Sequence, residues 1–307
     1  MKLNQFRNVL EIAERGSLRA AARSLQFAQP ALTRSLQELE HEIGGPLFER
    51  QARGMVLTPL GEAFVRRART VLEDVRRIRE EAEQMRGGGA GQIVAGLSIA
   101  AHMQLLPNAL RIFRQRYPGV DLNIIEGFYP TVEKALLEGT MDFYIGPEAD
   151  PTFAPGLQQI VLSPNERIVI GRKNHPLASA RSLKELGDTE WANNTITQPA
   201  DDELSALFAE HGLGKPRLAM RTQSALSLLV ALASSDLLAM VPRQWERFEL
   251  MGETLQMIPI RERLSAPRLV LIRRAAMPLT PAAEHFAQLL MNNAIEKPAA
   301  KRSARKF

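Results

Sequence analysis

Residues 17–43 read SLRAAARSLQFAQPALTRSLQELEHEI, and their pattern decides the N-terminal fold. Ser17 is placed to cap a helix, and the alanines and leucines of LRAAARSL suit a short, tightly packed one. The helical signal pauses at Gln26-Phe27-Ala28 and resumes at Gln29-Pro30. Proline is tolerated there because a first-turn N–H has no helical partner. Leu32, Leu36, Leu39 and Ile43 then recur at spacings of four, three and four, which predicts one buried stripe. Gln29, Thr33, Arg34 and Gln37 fall off that stripe and face outward together. Two short helices joined by a tight turn, the second presenting polar groups, form the pattern of a helix-turn-helix. Any amphipathic helical hairpin has the same periodicity, so the flanking sequence must decide.

Upstream, Leu3, Phe6, Leu10 and Ala13 predict an amphipathic helix whose apolar face supports the pair. Downstream, Leu47-Phe48 and Met55-Val56-Leu57 are short extended runs around a polar turn at 49–54, the signature of a small β-hairpin. Arg50 and Arg53 fall at its tip, within reach of a phosphate or a narrow minor groove. The stretch GSLRAAARSLQFAQPALTRSLQELEHEIGGPLFERQARGMVLTPLGEAF (16–64) resembles the winged helix-turn-helix of the LysR-type transcriptional regulators. That resemblance implies a palindromic promoter site in double-stranded DNA as partner, and RNA polymerase as a further one. Its DNA-binding residues would be Ser17, Arg19, Gln29, Pro30, Thr33, Arg34, Gln37, Arg50 and Arg53.

Thr58-Pro59 is an N-cap followed by an N1 proline, and it starts a helix expected to run to about residue 85. Phe64, Ala68, Val71, Val75, Ile78, Ala82 and Met85 alternate at four and three, flanked by Arg66, Arg67, Arg76, Arg77, Glu80 and Glu81. This predicts a two-helix coiled coil and a homodimer, whose two-fold axis matches a palindrome. An amphipathic helix packed on its own domain would share the pattern. Four glycines in residues 87–91 then predict a hinge.

Beyond the hinge, apolar strands alternate with amphipathic helices, as in a parallel sheet covered on both faces. Strands are expected at 93–99, 120–127 and 141–146, with helices at 103–117 and 132–138. The runs at 157–162 and 167–173 lead into a second lobe, and 255–260 and 268–274 bring the chain back, before a last helix over 280–295. The expected fold class is therefore α/β: a winged helix-turn-helix (1–58), a coiled-coil linker helix (59–86), a glycine hinge (87–91) and a two-lobed domain (92–296). Lobe I would hold 92–162 and 268–296, lobe II 163–267, and 297–307 a basic disordered tail. By the same resemblance, the two-lobed body looks like an effector-binding domain with the fold of type 2 periplasmic binding proteins, and the assembly is a homotetramer.

A ligand in such a domain binds at the C-terminal ends of the strands, between the lobes. Ser98, Ala101 and His102 follow the first strand, and Phe128 and Tyr129 the second. In the second lobe Thr197 and Gln198 precede one helix, and Gln223 and Ser224 another. Hydroxyls and helix-start amides suit a small anionic or hydroxylated effector. The runs FYPTV, LLEGTMDF and RRAAMPLTPAA resemble the branch holding the toluenesulfonate-pathway and galactose-binding-protein regulators.

Composition narrows the alternatives. The 307 residues contain no cysteine, which removes disulfides and thiolate metal sites and fits a cytoplasmic setting. No stretch approaches 18 apolar residues, and no apolar run follows a basic start, so no membrane partner is expected. Residues 1–86 carry 15 Lys+Arg against 12 Asp+Glu and the tail is basic, a distribution that suits nucleic acid. The five histidines (His41, His102, His175, His211 and His285) lack metal-ligand spacing. No G-x-S-x-G elbow, phosphate loop or dinucleotide fingerprint occurs, so neither an enzyme nor a cofactor is expected. The remaining alternative is a small-molecule-binding protein with no DNA role.

Overall fold

The computed structural model describes residues 1–52, 54–129, 131–148, 154–194, 201–247 and 252–295. Arg53, Thr197, Gln198 and the tail 297–307 lie outside the described residues.

The N-terminal domain is built from α1 (Leu3–Arg15), α2 (Leu18–Ser24), α3 (Gln29–Ile43) and the hairpin β1 (Phe48–Gln51) and β2 (Gly54–Leu57). Leu32, Leu36 and Leu39 are buried as the periodicity predicts, against Val9, Ile12, Ala21, Ala22, Leu47 and Val65. The buried face of α1 differs from the predicted stripe: Gln5, Asn8, Val9 and Ile12 are buried, while Leu3 is exposed and Phe6, Leu10 and Ala13 are half-buried. The helix is wedged between two neighbours, so its apolar residues divide between them. Phe6 meets Phe64 edge-on at 5.3 Å on one side, and Asn8 donates to Ser35 at 2.9 Å on the other.

Helix α4 (Pro59–Met85) opens as the sequence dictates, with the Thr58 hydroxyl accepting from the Gly61 N–H at 3.0 Å. A Cβ at Gly61 would lie 2.0 Å from the Leu47 carbonyl oxygen, so glycine permits the helix start to seat on the winged domain. Farther along, α4 leaves that domain and docks on the next.

Lobe I contains β3 (Gly91–Leu97), α5 (Ile99–Gln104), α6 (Leu106–Arg116), β4 (Val120–Glu126), α7 (Glu133–Glu138) and β5 (Phe143–Pro147). The expected single helix at 103–117 is thus two. Next, β6 (Leu157–Arg172) runs unbroken where two separate runs were expected. Its first half pairs with β11 (Leu264–Arg274) in lobe I, and its second half lies in lobe II. Lobe II adds β7 (Glu190–Asn194), α8 (Asp201–Glu210), β8 (Arg217–Thr222), α9 (Ala225–Ser234), β9 (Ala239–Pro242) and β10 (Leu255–Ile258). Strand β10 pairs with residues 169–172, so it stays in lobe II, and β11 alone makes the return. Helix α10 (Pro281–Ile295) closes the domain.

The main sheet has the order β10-β6-β11-β5-β3-β4, with β9 also on β6. Only β4-β3-β5 is parallel; β11, β6, β9 and β10 add antiparallel pairs. Alternation along the strands covers both faces. Ile93, Ala95, Leu97, Phe143 and Ile145 pack under α6 and α10, where Phe113 meets Phe286 at 4.9 Å. Val94, Tyr144, Val270 and Ile272 pack the opposite face beneath Val132 and Leu136.

Candidate DNA-binding surface and effector cleft

Ser17 caps α2, its hydroxyl accepting from the Ala20 N–H at 3.4 Å. The chain then reverses at Gln26, whose φ of 56° is left-handed, and Phe27 donates to the Ala22 carbonyl at 2.9 Å. Gln29, Pro30, Arg34 and Gln37 are exposed along α3, and half-buried Thr33 donates to the Gln29 carbonyl at 3.0 Å. Arg34 pairs with Glu38 at 2.9 Å, in solvent. No acid lies in the first turn of α3, but Pro30 has no N–H and the Ala31 N–H is taken by the Ala28 carbonyl at 3.0 Å, which leaves the Gln29 amide as the first-turn donor for a phosphate. Arg19 and Arg50 are exposed on α2 and β1. The hairpin is fastened beside them: Met55 donates to the Gly16 carbonyl at 2.8 Å, and a Cβ at Gly54 would lie 2.4 Å from that oxygen. The sequence reading missed Phe27, which is half-exposed in the turn; its apolar character in a polar segment was the available signal.

Between the lobes lies a cleft of about 350 Å³. Ser98, Phe128 and Tyr129 line it, as predicted from the strand ends. Ala101, His102, Gln223 and Ser224 do not. Ala101 is fully buried and its N–H is taken by the Ser98 hydroxyl at 3.4 Å, while the His102 ring folds back on the Ser98 carbonyl at 3.1 Å. Ser224 is the cap of α9, accepting from the Ser227 N–H at 3.2 Å, and Gln223 is exposed. The sequence reading missed Asn165, Arg167, Asn193, Asn194, Glu203 and Trp245, which come to the cleft from four separate lobe II segments. Arg167 pairs with Glu203, and Glu148 with Arg268. The Arg268 guanidinium holds the Glu148 carboxyl below the usual carboxylate range. Burial, with the hydrogen bond to Glu133, pushes the Tyr129 phenol up to about 12, so it is a neutral hydroxyl at the cleft wall.

The opposite ends of the lobe I strands meet α4. Arg77, flanking the expected coiled-coil seam, is instead buried, and pairs with the equally buried Asp142 at 2.9 Å. It also donates to the Gly139 carbonyl at 2.7 Å, and Asp142 accepts from the Val94 N–H at 2.8 Å. Desolvation pushes the Asp142 carboxyl up and the Arg77 guanidinium down, each opposed by the other's charge. Arg274 to Asp74 at 2.8 Å and Arg69 to Glu138 at 3.3 Å flank this pair. Gln84 bonds Ala90 at 3.3 Å and accepts from the Ala282 N–H at 3.0 Å, so the glycine turn at 87–91 is tied on both sides. The other face of α4 remains apolar and open, with Val71 38%, Ile78 64% and Met85 76% exposed at seven-residue intervals.

Among the described residues, no helix is long and apolar enough to cross a membrane, and no cluster could hold a metal ion. Residues 3–62 match the bacterial regulatory helix-turn-helix protein family of lysR type, and residues 86–294 match the LysR substrate binding domain. The chain is 31% identical over 251 residues to the HTH-type transcriptional regulator GbpR of Rhizobium radiobacter, covering 80% of this chain and 83% of that protein. It is 27% identical to an SDS degradation transcriptional activation protein of a Pseudomonas species, over 97% of this chain and 98% of that one. In fold it is similar to CbnR, a LysR family transcriptional regulator, with a TM-score of 0.68 at 21% identity, covering 96% of this chain and 100% of that one. CbnR complexed with its target DNA gives 0.69 at 22% identity, over 95% and 100%. The DNA-binding module excludes the alternative of a ligand-binding protein with no DNA role, and the family is one of regulators rather than enzymes. The chain belongs to the LysR family of DNA-binding transcriptional regulators, with an N-terminal helix-turn-helix and a substrate-binding effector domain.

Proposed function

We propose that this regulator acts as a cytoplasmic homotetramer on a palindromic promoter site, with α3 in the major groove and the inter-lobe cleft as its sensor. Gln29, Pro30, Thr33, Arg34 and Gln37 read or flank the bases, while Ser17, Arg19, Arg50 and Arg53 hold the backbone. Phe27 adds an apolar contact beside them. Dimerisation runs through the open Val71–Ile78–Met85 face of α4, where an exposed apolar heptad stripe needs a partner. Effector domains join dimers into tetramers through Leu226 and Val230 on α9, exposed one turn apart, and Leu110 and Ile125 on lobe I. A small molecule entering the cleft changes lobe closure, and with it the spacing of the DNA-binding heads presented to promoter and RNA polymerase.

The observation that carries this reading is the division of α4. One face is buried on its own effector domain, and the other is an unpartnered seam. Sedimentation velocity and footprinting of the full-length protein test it. A tetramer protecting two half-sites about one helical turn or a multiple apart is the expected result. A monomer that binds a single half-site with full affinity overturns it.

A further inference from the structure

The groups that line the cleft specify more than the presence of a ligand. Among its described lining residues the formal charges are Glu148, Arg167 and Glu203. Each is already neutralised: Arg167 by Glu203, and Glu148 by Arg268, which donates to it through Nε at 2.8 Å. The Ala101 amide is spent on the Ser98 cap, and Ser224 caps α9 without lining the cleft. Among the described lining residues no cation is therefore held ready for an anion, and a carboxylate would have to compete with Glu203 for Arg167 beside a second acid.

Two lining side chains do lack partners. Both amide atoms of Asn194 are buried without a hydrogen bond, and so is the indole N–H of Trp245. Buried polar groups left unpaired are uncommon and call for an explanation. This set contains donors, Asn194 Nδ2 and Trp245 Nε1, and an acceptor, Asn194 Oδ1. A carboxylate or sulfonate accepts only, and would leave Asn194 Oδ1 unpaired. Hydroxyls both donate and accept, so a molecule carrying several of them can answer the acceptor as well as the donors. Phe128, Leu228, Val241 and Trp245 add flat apolar wall for a C–H face. At about 350 Å³ the space is near the lower end of ligand pockets, roughly the scale of one sugar ring.

We infer that the cleft takes an uncharged polyhydroxylated molecule of monosaccharide size and selects against the corresponding acid. This rests on the cleft being the sensor, as proposed above, and narrows the anionic or hydroxylated ligand expected from sequence to the hydroxylated one.

The test pairs sugars with their acids on one carbon skeleton. Full-length protein is titrated calorimetrically with arabinose, xylose, glucose, galactose and mannose, and with the aldonate of each. At least one neutral sugar should bind, with its aldonate at least about tenfold weaker. Asn194→Leu should remove sugar binding, and Glu203→Gln, which frees Arg167, should narrow the gap by strengthening the aldonate. Intrinsic fluorescence should change with the sugar, because Trp245 is one of only two tryptophans and lines the cleft. An aldonate that binds more tightly than its sugar and is lost in Arg167→Met overturns the ligand class while leaving the cleft as sensor. Sugar binding unchanged in both Asn194→Leu and Arg167→Met moves the sensor out of the cleft and overturns both readings. Absence of binding by every neutral sugar at 10-fold the highest aldonate concentration that binds, or by both sets at solubility, overturns the inference.

Discussion

Arg34 sits on the outer face of α3, paired with Glu38 at 2.9 Å in solvent. Exposed pairs of this kind contribute little, about 0–1 kcal/mol, so the guanidinium is easily redirected to DNA. Arg34→Ala should weaken operator binding by about 1–3 kcal/mol and relax specificity at one base position. A gel-shift series over single-base operator variants checks this; uniform weakening with a shallower salt slope would mark a phosphate contact instead. His285 poses a separate residue-scale question. It lies 5.8 Å from the Tyr117 ring and 6.5 Å from that of Phe113, and desolvation, then the Arg116 charge, lower its pKa. A lowered folded pKa means stability present above the unfolded value, near 6.5, and lost as pH falls through the folded one. Between pH 7 and 5.5 the melting temperature of wild type should therefore fall more than that of His285→Gln.

At the scale of the element, α4 is two interfaces on one cylinder. Val71, Ile78 and Met85 project every seventh residue from one side, and Arg69, Asp74, Arg77 and Gln84 grip lobe I from another. The faces predict separable phenotypes. Val71→Asp with Ile78→Asp places charges in the proposed seam, so sedimentation should show a smaller species whose operator affinity falls, while the effector domain keeps its melting temperature. Arg77→Met leaves Asp142 buried and unpaired, which should cost about 3–5 kcal/mol in urea denaturation. Adding Asp142→Asn should recover part of that loss, because the stranded charge is gone. A double mutant no better than Arg77→Met would show that the ion pair is not what holds the helix.

For the whole molecule, the important fact is which ends of the lobe I strands meet which partner. Strands β3 and β5 run parallel; β5 begins next to Asp142 and β3 meets it at Val94, while the residues after their last, Ser98 and Glu148, line the cleft. The lobes are joined by β6 and β11, which cross between them. If the lobes close about those strands, α4 is carried with lobe I and the tied turn at 87–91 moves only when the ion pairs open. The Arg77→Met, Asp142→Asn protein should then keep its cleft affinity but lose the ligand-dependent change in operator affinity. Family-scale couplings are typically about 1–3 kcal/mol, well within a calorimetric and gel-shift comparison. Retained coupling in that variant would return the pivot to the glycines.

Short-range chemistry was legible in the sequence alone. Ser17 and Thr58 cap the helices they were expected to cap, and the stripe of α3 buries its leucines. Such features depend on neighbours within a turn or two, so one chain segment contains all the terms. The cleft was legible where a strand end places a residue directly, as at Ser98, Phe128 and Tyr129. It was not legible at Ala101 or Ser224, because a capping hydroxyl and a ligand-binding hydroxyl have the same sequence and only the fold assigns the hydrogen bond. Nor could local pattern reveal that Arg77 would leave the solvent face of a heptad to meet an aspartate 65 positions away, or that Asn194 and Trp245 would face one cavity. Those outcomes were decided by tertiary structure, since desolvation and pairing depend on what distant strands bring to the same place.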